Sequence, residues 1–318
     1  MYVIKAIPED FIVDENADHL LAGGDYSYYI LKKRILTGDG AIDKLAQKWG
    51  LNKKWFNTAG NKDKQGITTQ WLSIKDGPEK DLELPGIHLT FKGKAEERLA
   101  LGDLKSNHFE ITMRKLSQQP ALSRHIPNYF DDQRFGIQKN NHLIGKALLK
   151  NDFKEACILL DLPTQDPIKQ LVPQRRMLRL YIHAYQGFLF NELLRKHIEH
   201  SGQFNTLSYA AGTLSFPKED NAVNNTLPLP GFGTEDKEAI ALLKEDGLSP
   251  RSFIIRQIPG LSAEGTDREM FAPVNNLVVG KQELDDLNPG FKKQRLEFSL
   301  PKGSYATIVV KAMYGTTC

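Results

Sequence analysis

The feature that most limits how this chain folds is the order of its segments: strand formers, then helices, then strand formers again. Over the first part of the chain Tyr2–Ile7, Phe11–Glu15, Tyr26–Leu31, Thr68–Ile74, Ile87–Phe91 and His108–Met113 are short, β-branched or aromatic, and bounded by turn residues. Strands are predicted there. One helix interrupts them at Gly40–Trp49, where Ile42, Leu45, Ala46 and Trp49 recur at helical spacing and Gly50 stands just past the end. From about Asn141 the spacing turns helical, through His142–Lys150, Phe153–Leu160 and a long stretch from about Arg175 to His200. Its apolar stripe is Leu178, Ile182, Tyr185, Leu189, Leu193 and Leu194. Residues 215–250 are rich in Pro and Gly, with one helix at Asp236–Leu243. Strand signals return at Leu277–Val279 and Gln294–Leu300, and Ser304–Tyr314 favours a helix. A parent α+β domain, interrupted by an insertion and completed by the C-terminus, produces that order.

Other classes fall away on composition. The 318 residues are 40% hydrophobic and 25% charged, which is ordinary globular usage. No apolar run approaches the roughly 20 residues a membrane helix needs. Met1–Glu15 carries one lysine against Glu9, Asp10, Asp14 and Glu15, the wrong polarity for a secretory signal. Cys157 and Cys318 are the only cysteines, so no disulfide framework exists. A cytoplasmic protein, free of membranes, is the expectation. Net charge is +3, too mild to announce a polyanion partner. The basic residues are nevertheless clustered: Lys53, Lys54, Lys62 and Lys64 near Asp63; Lys292, Lys293, Arg295, Lys302 and Lys311 late in the chain; Lys169, Arg175, Arg176 and Arg179 where the long helix opens. Such clusters are either solvated faces or edges that hold a polyanion by position.

The most unusual segment is Thr58-Ala-Gly-Asn-Lys-Asp-Lys-Gln-Gly-Ile-Thr-Thr-Gln70, with one carboxylate, Asp63, between two lysines inside a loop delimited by Gly60 and Gly66. It is not a phosphate-binding loop of the Walker type, because five residues separate the glycines and no Lys-Ser/Thr pair follows. Two readings stay open: a polar hairpin loop, or a carboxylate on a rigid turn that neighbouring ammonium groups keep ionised for work as nucleophile or base. A lone carboxylate disfavours glycoside hydrolysis, which needs two. The eight scattered histidines offer no metal site, and no G-x-S-x-G elbow occurs.

Six segments together carry a resemblance: Ile7-Pro-Glu-Asp-Phe-Ile-Val-Asp-Glu15, Ala59-Gly-Asn-Lys-Asp-Lys64, Leu104-Lys-Ser-Asn-His-Phe109, Pro127-Asn-Tyr-Phe-Asp-Asp-Gln-Arg-Phe-Gly136, Phe188-Leu-Phe-Asn191 and Gly303-Ser-Tyr-Ala-Thr307. In this order and spacing they resemble the TruD family of tRNA pseudouridine synthases, over about residues 4–314. The resemblance implies an α+β fold: a pseudouridine-synthase-type antiparallel sheet flanked by helices, interrupted by a mainly helical, mixed TRUD insertion domain to give a V shape. The boundaries expected are 1–126 and 274–318 for the catalytic domain and 127–273 for the insertion.

It also implies isomerisation of a uridine in tRNA, at position 13 in bacterial members, with no cofactor and no metal, by an enzyme acting as a monomer. The family's catalytic aspartate falls on Asp63, and Lys5 matches a lysine that pairs with it and orients it. Phe11, Asn107 and Tyr305 match substrate-binding positions. Tyr305 stands where the family has phenylalanine and keeps the ring face that base stacking needs. Asn128, Gln133 and Arg134 read as scaffold, and Phe188–Asn191 as helix packing. The target base must leave its stack, so basic residues at a cleft between the domains are expected to hold the RNA, with Lys62, Lys64, Arg295 and Lys302 as phosphate contacts. Competing readings are a catalytically silent tRNA-binding or folding protein on the same scaffold, and a nucleoside hydrolase.

Overall fold

Pro8 begins the architecture by fixing a single 3-10 turn, Pro8–Asp10, from which strand β1 (Phe11–Asn16) departs with Phe11 and Val13 buried. In the computed structural model, residues 2–60, 62–117, 119–219 and 225–315 are described. Alternating apolar residues then give β2 (Tyr26–Arg34), β3 (Phe56–Thr58), β4 (Ile67–Lys75), β5 (Leu82–Leu84), β6 (Ile87–Ala95) and β7 (Ser106–Leu116). With the late strands Asn275–Val279, Glu283–Leu284 and Lys292–Pro301 they build one ten-stranded sheet. Its order is Asn275–Val279, Lys292–Pro301, β7, β1, β4, β2, β6, β5; Glu283–Leu284 pairs with Lys292–Pro301, and β3 with β4.

The α+β class expected is the class found, with one refinement to the sheet. Its neighbours are antiparallel except β1 and β4, which run parallel. A parallel pair needs a long crossover, and residues 17–66 supply it, including the helix Gly38–Trp49. Thr37 caps that helix by accepting from Gly40 N at 3.0 Å, and Gly50 ends it at φ +66°. Ala41, Leu45 and Ala46 on its inner face cover Tyr29, Leu31, Leu72, Ile74 and Leu89 of the sheet. Each leucine removed from water there contributes about 1.5–3 kcal/mol.

The chain divides into two compact units, Met1–Pro120 with Pro273–Gly303, and Ala121–Ala272 with Ser304–Cys318. The last segment, expected with the sheet domain, thus packs in the second unit. Met313 O accepts from Ala121 N at 2.9 Å, and the Lys311 ammonium pairs with Asp131 and with Asp132. The helix expected over Ser304–Tyr314 is α-helical at Ala306–Val310 and becomes a π-turn at Lys311–Gly315.

In the second unit the helix Arg175–Ser201 is central, its expected stripe wholly buried. The helix Asn141–Leu149 lies so close to it that a Cβ on Gly145 would stand 2.1 Å from Tyr181 O. Ile144, Leu148, Phe153, Leu178, Ile182, Leu189 and Phe253 share this core. The hairpin of Phe204–Tyr209 with Gly212–Pro217 and the pair Thr226–Leu229 with Thr266–Glu269 were not read from the sequence. Cys157 is a buried free thiol, and Cys318 lies outside the described residues. Among the described residues no helix is long and apolar enough to cross a membrane.

Candidate active site

The loop between β3 and β4 is held at both ends by close backbone approach. Gly102 N donates to Ala59 O at 2.7 Å, and Gly66 O accepts from Ile35 N at 3.2 Å. A Cβ on Gly66 would lie 2.2 Å from Phe11 O, so only glycine lets the loop close onto β1. Asn61 lies outside the described residues. Asp63 sits partly exposed on this loop. Its Oδ1 accepts from Gln65 N at 3.2 Å, and Oδ2 takes the ammonium of Lys5 in an ion pair whose side chains are 21% and 14% exposed. One carboxylate oxygen therefore keeps unused lone-pair capacity toward solvent, as a nucleophile or base requires.

Lys5 reaches Asp63 from a left-handed backbone, φ +58°, a conformation that costs a lysine free energy and clusters at functional sites. Its ammonium also lies over the Phe11 ring, 4.1 Å from the centroid. Phe11 itself is 3% exposed, its edge on Phe109. Behind this turn Arg114 gathers three carboxylates: Asp10 at 2.8 Å, and Asp285 and Asp286 each at 2.9 Å. Hydrogen bonds from Lys115 N, Leu287 N, Asn288 and Arg114 hold Asp285 at about 2 even against its burial, and tie the start of the chain to its late strands.

Strand register shows what lies beneath the loop. Lys33 opposes Thr68, Val13 is level with Thr68, and Glu15 opposes Asn107, so Lys33, Thr68, Gln70, Glu15 and Asn107 project from one face of the sheet. Three of them grip the loop. Lys33 Nζ donates to Asp63 O at 2.8 Å and to Leu36 O at 2.7 Å; Gln70 Nε2 donates to Gly60 O at 3.5 Å; Glu15 pairs with Lys62 at 2.6 Å. Asn107 Oδ1 is buried with no hydrogen-bond donor among the described residues, an acceptor available to a ligand N–H.

The four basic residues expected at RNA phosphates divide. Lys62 is 7% exposed, its charge committed to a Glu15 side chain that is fully buried. This removes it from the surface set for a physical reason the sequence hid: Glu15 points inward. Lys64 is exposed. Lys302 is exposed with Nζ 3.1 Å from Gly102 O, and Arg295 is paired with Glu110. Lys33 and Glu15 escaped the sequence reading; the available signal was Lys33 at an inward position in the alternation of Tyr29, Leu31 and Lys33.

Tyr305 lies in the second unit with its ring 6.1 Å from Phe130 in an edge contact. Phe130 is fixed by Asn191, which accepts from its N–H at 2.9 Å and donates to its carbonyl at 2.8 Å, and by the Phe190 edge. Asn128 Oδ1 accepts from Ser304 Oγ at 3.0 Å and from Arg268 Nη2 at 2.7 Å. Arg268 and Arg134 lie over the Phe130 ring at 4.2 and 4.9 Å; burial draws the Arg268 guanidinium down to about 10. The Pro127–Gly136 and Phe188–Asn191 motifs are therefore one scaffold, seating the residue before Tyr305. Among the described residues no three His, Cys, Asp or Glu side chains converge as metal ligands.

A largely antiparallel ten-stranded sheet carrying a lysine-paired aspartate on a tethered loop, in a chain with a second compact unit, defines an α+β protein of two units. The sequence profile of tRNA pseudouridine synthase D (TruD) matches residues 2–166 and 211–313. This chain belongs to that family. The tRNA pseudouridine synthase D of a Geobacter species is 30% identical, over 97% of this chain and 95% of its own. That of Syntrophotalea carbinolica is 27% identical, over 98% and 96%. A crystal structure of the TruD protein assigned in Methanosarcina mazei superposes with a TM-score of 0.67 at 26% identity, covering 97% of this chain and 92% of that one.

Proposed function

We propose that this chain converts a uridine of tRNA, the one at position 13, to pseudouridine, with Asp63 as its catalytic group. The observation that carries the reading is the Lys5–Asp63 pair: a carboxylate oriented by an ammonium, tethered by its backbone, and left partly open to solvent. The reaction is an isomerisation. The C1′–N1 bond breaks, the uracil turns, C1′ bonds to C5, and the C5 proton is exchanged for one on N1. Nothing is oxidised or reduced. Asp63 starts it by adding to the sugar carbon or by taking a sugar proton, and both routes need the same ionised oxygen.

Asn107 Oδ1, buried and lacking a donor, suits the N3–H of uracil. Tyr305 offers a ring face to the unstacked base, and Phe11 sets the Lys5 ammonium in place. Lys64, Lys302 and Arg295 are the phosphate contacts in this reading. In chain order the catalytic domain is read as 1–126 and 274–318 with the insertion at 127–273, although Ser304 and the residues after it pack within the second unit, and the enzyme works as a cytoplasmic monomer. The family membership supports tRNA as the substrate, and family relatives carry that substrate in their names.

The test is chemical mapping of pseudouridine after incubation of unmodified tRNA with the wild type and Asp63→Asn. Product at position 13 from the wild type and none from the variant is expected, with tRNA binding retained by both. Product from Asp63→Asn overturns the assignment; binding without product from the wild type favours a silent RNA-binding protein.

A further inference from the structure

Lys33 is the buried charge that the Asp63 chemistry does not use directly. It is 1% exposed, and among the described residues its ammonium meets no carboxylate. It meets carbonyl oxygens instead: Leu36 O at 2.7 Å, Asp63 O at 2.8 Å and Lys62 O at 3.5 Å, as many acceptors as an ammonium has N–H groups. A methionine there would fill the space without desolvating a charge, so core stability alone does not account for a lysine at this inward strand position.

We infer that Lys33 is a positioning residue for the Asp63 loop, fixing the peptide from which the Asp63 carboxylate projects. This rests on the reading that Asp63 carries the chemistry. Asp63 is then held at three points: Lys33 on its carbonyl, Lys5 on one carboxylate oxygen, and Gln65 N–H on the other. The last two fix the carboxylate relative to its neighbours; among the described residues Lys33 is what joins its backbone carbonyl to the β2 strand and to Leu36 just beyond that strand. Without that anchor the loop keeps its end tethers and the Gln70 and Glu15 contacts, but the Asp63 peptide itself loses its tie to the strand, and a misplacement of about 1 Å slows a reaction by about 100-fold.

The anchor also titrates. Burial pulls the Lys33 ammonium down to about 8; of the charges facing it, Asp63 favours the protonated form and Lys62 opposes it. Its strand neighbours, Thr68 on β4 and Ile87 on β6, do not titrate. Above about pH 8 an amine with two N–H groups faces three carbonyls, and its lone pair points at one of them. The anchor loosens as pH rises.

Single-turnover conversion of unmodified tRNA and tRNA binding, both from pH 6 to 9.5, test this. The wild type is expected to lose rate above about pH 8 with binding unchanged. Lys33→Met should be about 10- to 100-fold slower at pH 7, bind tRNA as the wild type does, and show no such alkaline loss. Lys33→Arg, charged throughout, should recover part of the rate and also lack the alkaline loss; it decides the matter where Lys33→Met fails to fold. A wild-type rate from Lys33→Met, or an alkaline loss that persists near 8 in Lys33→Arg, overturns the inference. Product from Asp63→Asn, a separate outcome, instead removes the reading on which it rests.

Discussion

Lys62 turns back beneath its own loop and places its ammonium 2.6 Å from Glu15 Oε2, pairing a lysine side chain 7% exposed with a fully buried glutamate. Trp71 N also donates to Glu15, at 3.2 Å. Removing one partner of a buried pair strands the other charge, at a cost of about 3–5 kcal/mol. Lys62→Met should lower the unfolding free energy by that amount in denaturant titrations, and adding Glu15→Gln should restore most of it while keeping the acceptor for Trp71. The salt dependence of tRNA binding should not change in the double variant; a flattened slope there would make Lys62 a phosphate contact after all.

Exposed lysines should behave in the opposite way. Lys64→Ala and Lys302→Ala leave stability within about 0.5 kcal/mol. Each should reduce the slope of log affinity against log salt by about 0.7–0.9, as expected when one phosphate is no longer neutralised by the protein. Titrations of Asp63→Asn with tRNA at several salt concentrations measure this without turnover. Arg295, already neutralised by Glu110, should change the slope less than either lysine.

Tyr305 carries one hydroxyl more than a phenylalanine, and its ring meets Phe130 edge-on. Tyr305→Phe should therefore keep activity within about threefold. Tyr305→Ala, which removes the ring face, should lose about 1–3 kcal/mol of transition-state stabilisation in kcat/KM. Equal activity of the alanine and phenylalanine variants would dismiss stacking as the role of this residue.

The fold itself should weaken in mild acid. His142 packs between Phe135 and Phe188, and its burial, assisted by Lys146 and opposed by Asp246, holds the imidazole down to about 4. In the unfolded chain it titrates near about 6.5. Between those values the unfolded state binds more protons, so the stability contributed by the neutral ring is complete above about 6.5 and is lost as pH falls toward 4. Denaturant midpoints from pH 7 to 4 should fall for the wild type, and fall less for His142→Phe.

What the sequence determined by itself was much that is local and repeated in pattern: a helix ending at Trp49, the long helix from about Arg175, strand faces, and the motif that singled out Asp63 and Lys5. Periodicity and capping act within a few residues, so a linear reading sees them. The parallel β1–β4 pair, the inward turn of Glu15 and Lys62, the Lys33 anchor and the packing of the helix Ala306–Val310 in the second unit were decided by the tertiary structure. Each depends on which distant segment a strand or charge meets. A lysine reads the same whether its ammonium ends in water, on a carboxylate or under a loop; the register of four strands, fixed by burial of their common face, chose among the three.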